Sequence, residues 1–177
     1  MLQVRHADPT DADACARAHV DAWRAAYRGL VPDAFLDDPK FETERVEMWR
    51  GWTWPQQPGA QVFVPELNGE VVGFGLIGPA REGDHSRCGE VYAFYMHPTV
   101  WGSDAATATM ERCTDHLRSA GFNEAVLWVL RDNPRARRFY ERTGWSATGD
   151  EEMWSGPVAG RSLPEPIAET RYRIDLR

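Results

Sequence analysis

The sequence predicts a single α/β or α+β domain of 177 residues around one mixed sheet. Three observations carry that expectation. Glu90 to Met96, the helical stretch after it and Ala125 to Leu130 form a strand, helix, strand succession, which implies parallel pairing of the two strands. Gln61 to Leu67 and Val71 to Ile77 flank Asn68-Gly69, a dipeptide that supplies the positive φ angles of a two-residue hairpin loop. Before them, apolar residues recur at steps of three and four, the period of amphipathic helices.

Composition narrows the class. Apolar residues make up 42% and charged residues 27%, a globular balance, and no segment approaches the roughly 18 uninterrupted apolar residues of a membrane span. The start MLQVRHADPTD has no basic region followed by an apolar run, so no secretory signal is read and a cytoplasmic location is expected. The net charge of −7 disfavours nucleic acid as a partner. Cys15, Cys88 and Cys113 are an odd number, widely spaced, and read as buried thiols; the five histidines show no metal-ligand spacing, so no metal is expected.

In chain order, Leu2 to His6 is a short strand, and DPTDADA marks a helix start with Thr10 and Asp13 spaced as a capping pair. Cys15, Ala18, His19, Ala22, Trp23, Ala26, Tyr27 and Leu30 line one face of that helix, and Gly29 offers its stop. A second helix is read over residues 41 to 52, and WPQQPG breaks the chain before the hairpin. After the polar loop REGDHSRCG comes the aromatic strand Glu90 to Met96, stopped by His97-Pro98. The next helix carries Ala106, Met110, Cys113 and Leu117 on one stripe and closes at Gly121. Asn133-Pro134 then pairs a cap with a first-turn proline, and Ala136, Phe139 and Tyr140 give that helix its buried side. A short strand is read at Trp145 to Thr148, a long Gly- and Pro-rich loop over 149 to 168, and a last strand near Arg171 to Leu176.

The segment HPTVWGSDAA, His97 to Ala106, follows a strand and opens a helix. Amides at a helix start are unpaired and lie at the positive end of the helix dipole, so such a turn suits a diphosphate. Asp104 adds a carboxylate there, which is expected to point away or to cap the helix.

VYAFYMHPTVWGSDAATATM and LWVLRDNPRARRFYERTGW together resemble the core of the GNAT N-acyltransferases. The more specific block is N-x-x-A-x-x-F-Y-x-x-x-G-W, read from Asn133 through Ala136, Phe139, Tyr140 and Gly144 to Trp145. The resemblance extends over nearly the whole chain. It implies a mostly antiparallel mixed sheet of about seven strands with helices on both faces. It also implies a strand splayed from its neighbour, so that main-chain groups near Tyr95, Met96 and His97 pair with the pantetheine arm of acetyl-CoA. The family's loop pattern Q/R-x-x-G-x-G/A falls on Trp101 to Ala106, which marks Gly102, Ser103, Asp104, Ala105, Ala106 and Thr107 for the pyrophosphate. Trp101 stands where glutamine or arginine is usual, and Asp104 stands where the first glycine is usual.

By the same resemblance Tyr140 is the acid that protonates the departing sulfur and Glu90 is the base, while Asn133 bonds the cofactor and caps its helix at once. Trp23, Tyr27, Tyr92 and Trp128 lie on elements that border the acceptor in relatives, although helical and strand spacing also suits them to the core. His97 is a further candidate base. The expected activity is acetyl transfer from acetyl-CoA directly to a primary amine of a small molecule or peptide end. A second reading keeps the fold and gives the altered loop another ligand, other chemistry or a purely binding role, with a homodimer through the edge strand.

Overall fold

The computed structural model describes residues 1–51, 58–83, 87–158 and 161–177. Trp52, most of WPQQPG and the middle of the loop before Cys88 lie outside the described residues.

Strand β1 (Leu2–His6) leads into a 3-10 turn at Pro9–Asp11 and helix α1 (Ala12–Ala26). The capping pair is Asp8 with Asp11 rather than Thr10 with Asp13: Asp8 accepts from the Thr10 N–H, Asp11 accepts from the Asp8 N–H, and Pro9 opens the turn. A short helix α2 (Asp33–Leu36) and helix α3 (Pro39–Gly51) follow. The hairpin comprises β2 (Gln61–Leu67), β3 (Glu70–Val71) and β4 (Gly73–Pro79), turning at Asn68 (φ 54) and Gly69 (φ 89), the pair of left-handed residues such a turn requires. Strand β5 (Cys88–Met96), helix α4 (Asp104–Ser119), strand β6 (Glu124–Leu130) and helix α5 (Pro134–Arg142) form the succession anticipated for the centre of the chain.

The C-terminal part differs from the sequence reading. Residues 149 to 154 belong to a long strand β7 (Ser146–Trp154), short strands β8 (Pro157–Val158) and β9 (Arg161–Ser162) pair with each other, and β10 (Ile167–Asp175) begins before Arg171. Strand β7 is exposed along almost all of its length and so lacks the apolar alternation of a half-buried strand. What holds it is pairing with β10, interrupted by a register shift between Thr170 and Tyr172 where Gly149 takes φ 92.

The main sheet runs β1-β2-β4-β5-β6-β10-β7, with β3 beside β2, and among the described residues only β5 and β6 are parallel neighbours in it. Side chains alternate between its faces. Phe63, Ile77, Val91, Leu127 and Tyr172 meet Met110, Cys113 and Leu117 of α4 and Tyr140 of α5. Val62, Val64 and Phe74 meet Ala12, Cys15 and Ala16 of α1 and Trp49 of α3. Helices therefore cover both faces, and all three cysteines are buried free thiols.

Strand β5 carries the feature that matters for function. Leu76 faces Ala93 while Ile77 faces Val91, so Tyr92 is one residue too many against β4 and the strand bulges there. A β-carbon on Gly78 would meet the Tyr92 hydroxyl at 2.5 Å, so glycine is what lets the bulged ring lie flat across β4. Beyond the bulge β5 leaves its other neighbour: pairing with β6 runs only from Cys88↔Glu124 to Val91↔Leu127, although β5 continues to Met96 and β6 to Leu130.

Candidate active site

The split between β5 and β6 opens a cavity of about 450 Å³, walled by the diverging strands, by α1 and by α5. The His97 N–H donates to the Val72 carbonyl at 2.8 Å, and Phe74 lies opposite Tyr95. Because main-chain groups alternate in direction along a strand, Tyr95 and His97 turn theirs toward β4, while Phe94 and Met96 present theirs to the split. Of Tyr95, Met96 and His97, only Met96 therefore offers its main chain to the open side, and Phe94, which the sequence reading passed over, does so as well. The Met96 carbonyl accepts from the indole Nε1 of Trp101 at 2.9 Å.

Trp101 thus fastens the loop to the end of β5, and the Arg135 guanidinium of α5 lies over its ring. Gly102 takes φ +81, a left-handed turn for which glycine is suited. Ser103, not Asp104, caps α4, accepting from the Ala105 N–H at 3.3 Å. Asp104 is the first helical residue, and it is exposed, with its charge in water and at the favourable end of the dipole. Gly102 and Ala106 line the cavity with Trp101, whereas Ser103, Asp104, Ala105 and Thr107 do not. Asn133 caps α5 by accepting from the Ala136 N–H at 3.2 Å and also lines the cavity. Arg135, Arg138 and Arg142 bring positive charge to the same wall.

Tyr140 reaches the cavity from α5 and is only 8% exposed. Burial pushes its phenol well above the ordinary value, so it keeps its proton at neutral pH. Glu90 does not reach the cavity, contrary to its expected role as base. It is 3% exposed, and both carboxylate oxygens are held by Arg81, through the Nε at 2.9 Å, the terminal nitrogen at 2.5 Å and the main-chain N–H at 2.8 Å. Its partner Arg81 opens the polar loop that joins β4 to β5, and nothing in the sequence of that loop announces the pairing. His97 is likewise engaged, with Nδ1 2.7 Å from Thr99 Oγ1 and Nε2 3.1 Å from Asp21 Oδ2.

A carboxyl that does line the cavity is Glu169 of β10. The sequence reading missed it because β10 was expected to start at Arg171. Alternation along AETRYRID would have placed Glu169, Arg171 and Arg173 on one face and Thr170, Tyr172 and Ile174 on the other. Burial, aided by the nearby Glu152, pushes its carboxyl up to about 7.

All four aromatic candidates line the cavity: Trp23, Tyr27, Tyr92 and Trp128. Trp23 packs edge-on against Tyr27 at 4.6 Å, and the Tyr27 hydroxyl is 3.4 Å from that of Tyr95. Arg81 lies 5.3 Å from the Tyr92 ring centroid and Arg171 lies 5.9 Å from that of Trp128. The wall is aromatic with cations at its edge, and Trp23 and Tyr27 also pack into the core beside Val20, Phe35 and Phe41, as their helical spacing suggested.

A sheet that parts between its two parallel strands, with main chain exposed on one lip and a protonated tyrosine on the other, defines an acyltransferase of the GNAT type. The chain belongs to the acetyltransferase (GNAT) family, whose model matches residues 20–145. It is 30% identical over 135 residues to the uncharacterized N-acetyltransferase YuaI of Bacillus subtilis (strain 168), covering 76% of this chain and 75% of that one. An uncharacterized N-acetyltransferase of Archaeoglobus fulgidus is 29% identical, covering 78% of this chain and 89% of the relative. Among solved structures, the PaiA N-acetyltransferase of Thermoplasma acidophilum in complex with coenzyme A shares the fold, with a TM-score of 0.67 at 12% identity and 99% of both chains covered. Among the described residues no helix is long and apolar enough to cross a membrane, and no group of three or more His, Cys, Asp or Glu could hold a metal ion.

Proposed function

We propose that this chain carries an acetyl group from acetyl-CoA directly to a primary amine of a small molecule or a peptide end, working as a cytoplasmic enzyme. The observation that carries this reading is the end of β5–β6 pairing at Val91↔Leu127 while both strands continue. Main chain turned away from β4 at Phe94 and at the Met96 N–H suits the amides of a pantetheine arm, which adds as a strand would. Acetyl-CoA supplies an activated thioester. Gly102, Ala106 and Asn133, with the arginines of α5, are suited to hold its phosphates at the start of α4. Tyr140, kept protonated by burial, is placed to give a proton to a departing sulfur. The aromatic wall of Trp23, Tyr27, Tyr92 and Trp128 favours an amine with an apolar or aromatic body.

Calorimetry with acetyl-CoA, followed by release of coenzyme A in the presence of a panel of primary amines, tests the proposal. Binding and amine-dependent release are expected. Absence of binding at high micromolar acetyl-CoA would sink it, and stabilisation against heat by an unrelated metabolite would favour the second reading, in which the fold serves another ligand.

A further inference from the structure

We propose that Glu169 is the carboxylate that receives the acceptor amine and takes its first proton. The inference rests on the acetyltransferase reading and adds the residue that reading lacks, because Glu90 is committed to Arg81.

Strand register supports the placement. Glu169 lies opposite Leu130, Arg171 opposite Trp128 and Arg173 opposite Val126, while Glu90 lies opposite Val126 from the other side. Leu127 and Val129 face the core under α4, so Glu169 stands on the opposite face with Trp128, on the aromatic side of the split. Glu169 lies opposite Glu152 of β7, with Arg171 two residues along its own strand, and lines the same cavity as Arg81, Tyr27, Tyr95 and Tyr140. Glu152 and Arg171 flank the cavity without lining it. A carboxylate at such a wall offers an arriving ammonium an ion pair in surroundings that water barely screens.

The surroundings also tune it. Burial and Glu152 raise the carboxyl to about 7, whereas Arg81 opposes them, so near neutral pH the group is poised between donor and acceptor of a proton. The Glu90–Arg81 pair acquires a purpose here: Glu90 positions the cation that keeps Glu169 from rising further.

Glu169 accepts one proton from the ammonium and leaves a neutral amine. The nitrogen lone pair forms a bond to the acetyl carbonyl carbon, the carbon–sulfur bond breaks, and its electron pair leaves on sulfur. Tyr140 gives sulfur its proton and regains the one that nitrogen sheds. Glu169 then returns its proton to solvent.

Two measurements decide the proposal. In protein labelled with carboxyl-13C glutamate, the resonance missing from Glu169→Gln should titrate near pH 7 and should move when primary amines of a panel (phenylethylamine, an amino sugar, a short peptide) are added with coenzyme A. In turnover, Glu169→Gln should lower kcat by about 100-fold, leave calorimetric acetyl-CoA affinity unchanged and remove the limb near pH 7. Glu152→Gln should shift that limb to lower pH. A Glu169 resonance that titrates below pH 5, or that no amine moves, overturns the proposal, as does wild-type turnover by Glu169→Gln. Failure of the wild type to bind acetyl-CoA would instead strike at the acetyltransferase reading, and the resonance still reports on Glu169 alone.

Discussion

Tyr140 is a phenol held almost out of water at the lip of the split, and burial raises it far enough to stay protonated across the physiological range. Tyr140→Phe keeps the ring that packs against Trp145 and Tyr172 and removes only the hydroxyl that carries the proton. Its kcat should fall by about 100-fold, with acetyl-CoA affinity and thermal midpoint unchanged; a kcat within a few fold of wild type would remove Tyr140 from the acid role. The same scale shows what a sequence conveys about a site. The spaced motif around Tyr140 and the cap followed by proline at Asn133 mark two residues that line the cavity. The ion pair of Glu90 with Arg81 was not legible, because the pairing of two residues across a turn leaves no pattern in a single sequence. Glu169 was missed because its strand was started too late.

At the scale of elements, the bulge at Tyr92 shapes the site and Gly78 permits it. Gly78→Ala forces a methyl against a rigid ring, and should cost about 1 to 3 kcal/mol of stability by urea unfolding while weakening acetyl-CoA binding, since the bulge directs β5 away from β6. Unchanged stability and binding would mean the bulge is not what parts the strands. Helix α1 supplies a second test. His19 is buried against Phe74 and Tyr95, accepts from Trp49 Nε1 at 3.3 Å, and is held neutral by burial well below its ordinary 6.5. The unfolded chain takes up that proton and the folded one does not, so stability is complete above about 6.5 and lost as pH falls below it. Glu169, raised to about 7, acts in the opposite sense between its ordinary 4.5 and that value, so comparison with a variant is needed. His19→Asn retains an acceptor for Trp49 and should lose less stability than wild type between pH 7 and 5; equal losses would contradict the account. Elements with two contrasting faces were readable from period, as in α1 and α4, and β5 from its aromatic run and the proline that stops it. Strand β7 was not, because its exposed polar residues are fixed by partners on β10 rather than by burial of their own side chains.

For the whole molecule, the order of strands and helices follows from the sequence pattern, while the opening of the sheet arises from pairing that stops, which no residue announces. Charge acts at this scale too. Asp104 contributes to a net charge of −7, yet it is exposed, and solvent screens it from a ligand in the cavity. Asp104→Gly should therefore tighten acetyl-CoA binding by less than about tenfold at physiological salt and by more at low salt; a salt-independent gain of about a hundredfold would place the carboxylate against the phosphates. On the proposed function, acetyl-CoA lies along the open lip of β5. Amide resonances followed during titration with acetyl-CoA test it most directly. The largest shifts should fall on Phe94, Met96 and residues 101 to 106, with smaller ones at Tyr95 and His97, whose main chain faces β4. No shifts at millimolar ligand, or shifts confined to another face of the sheet, would contradict it.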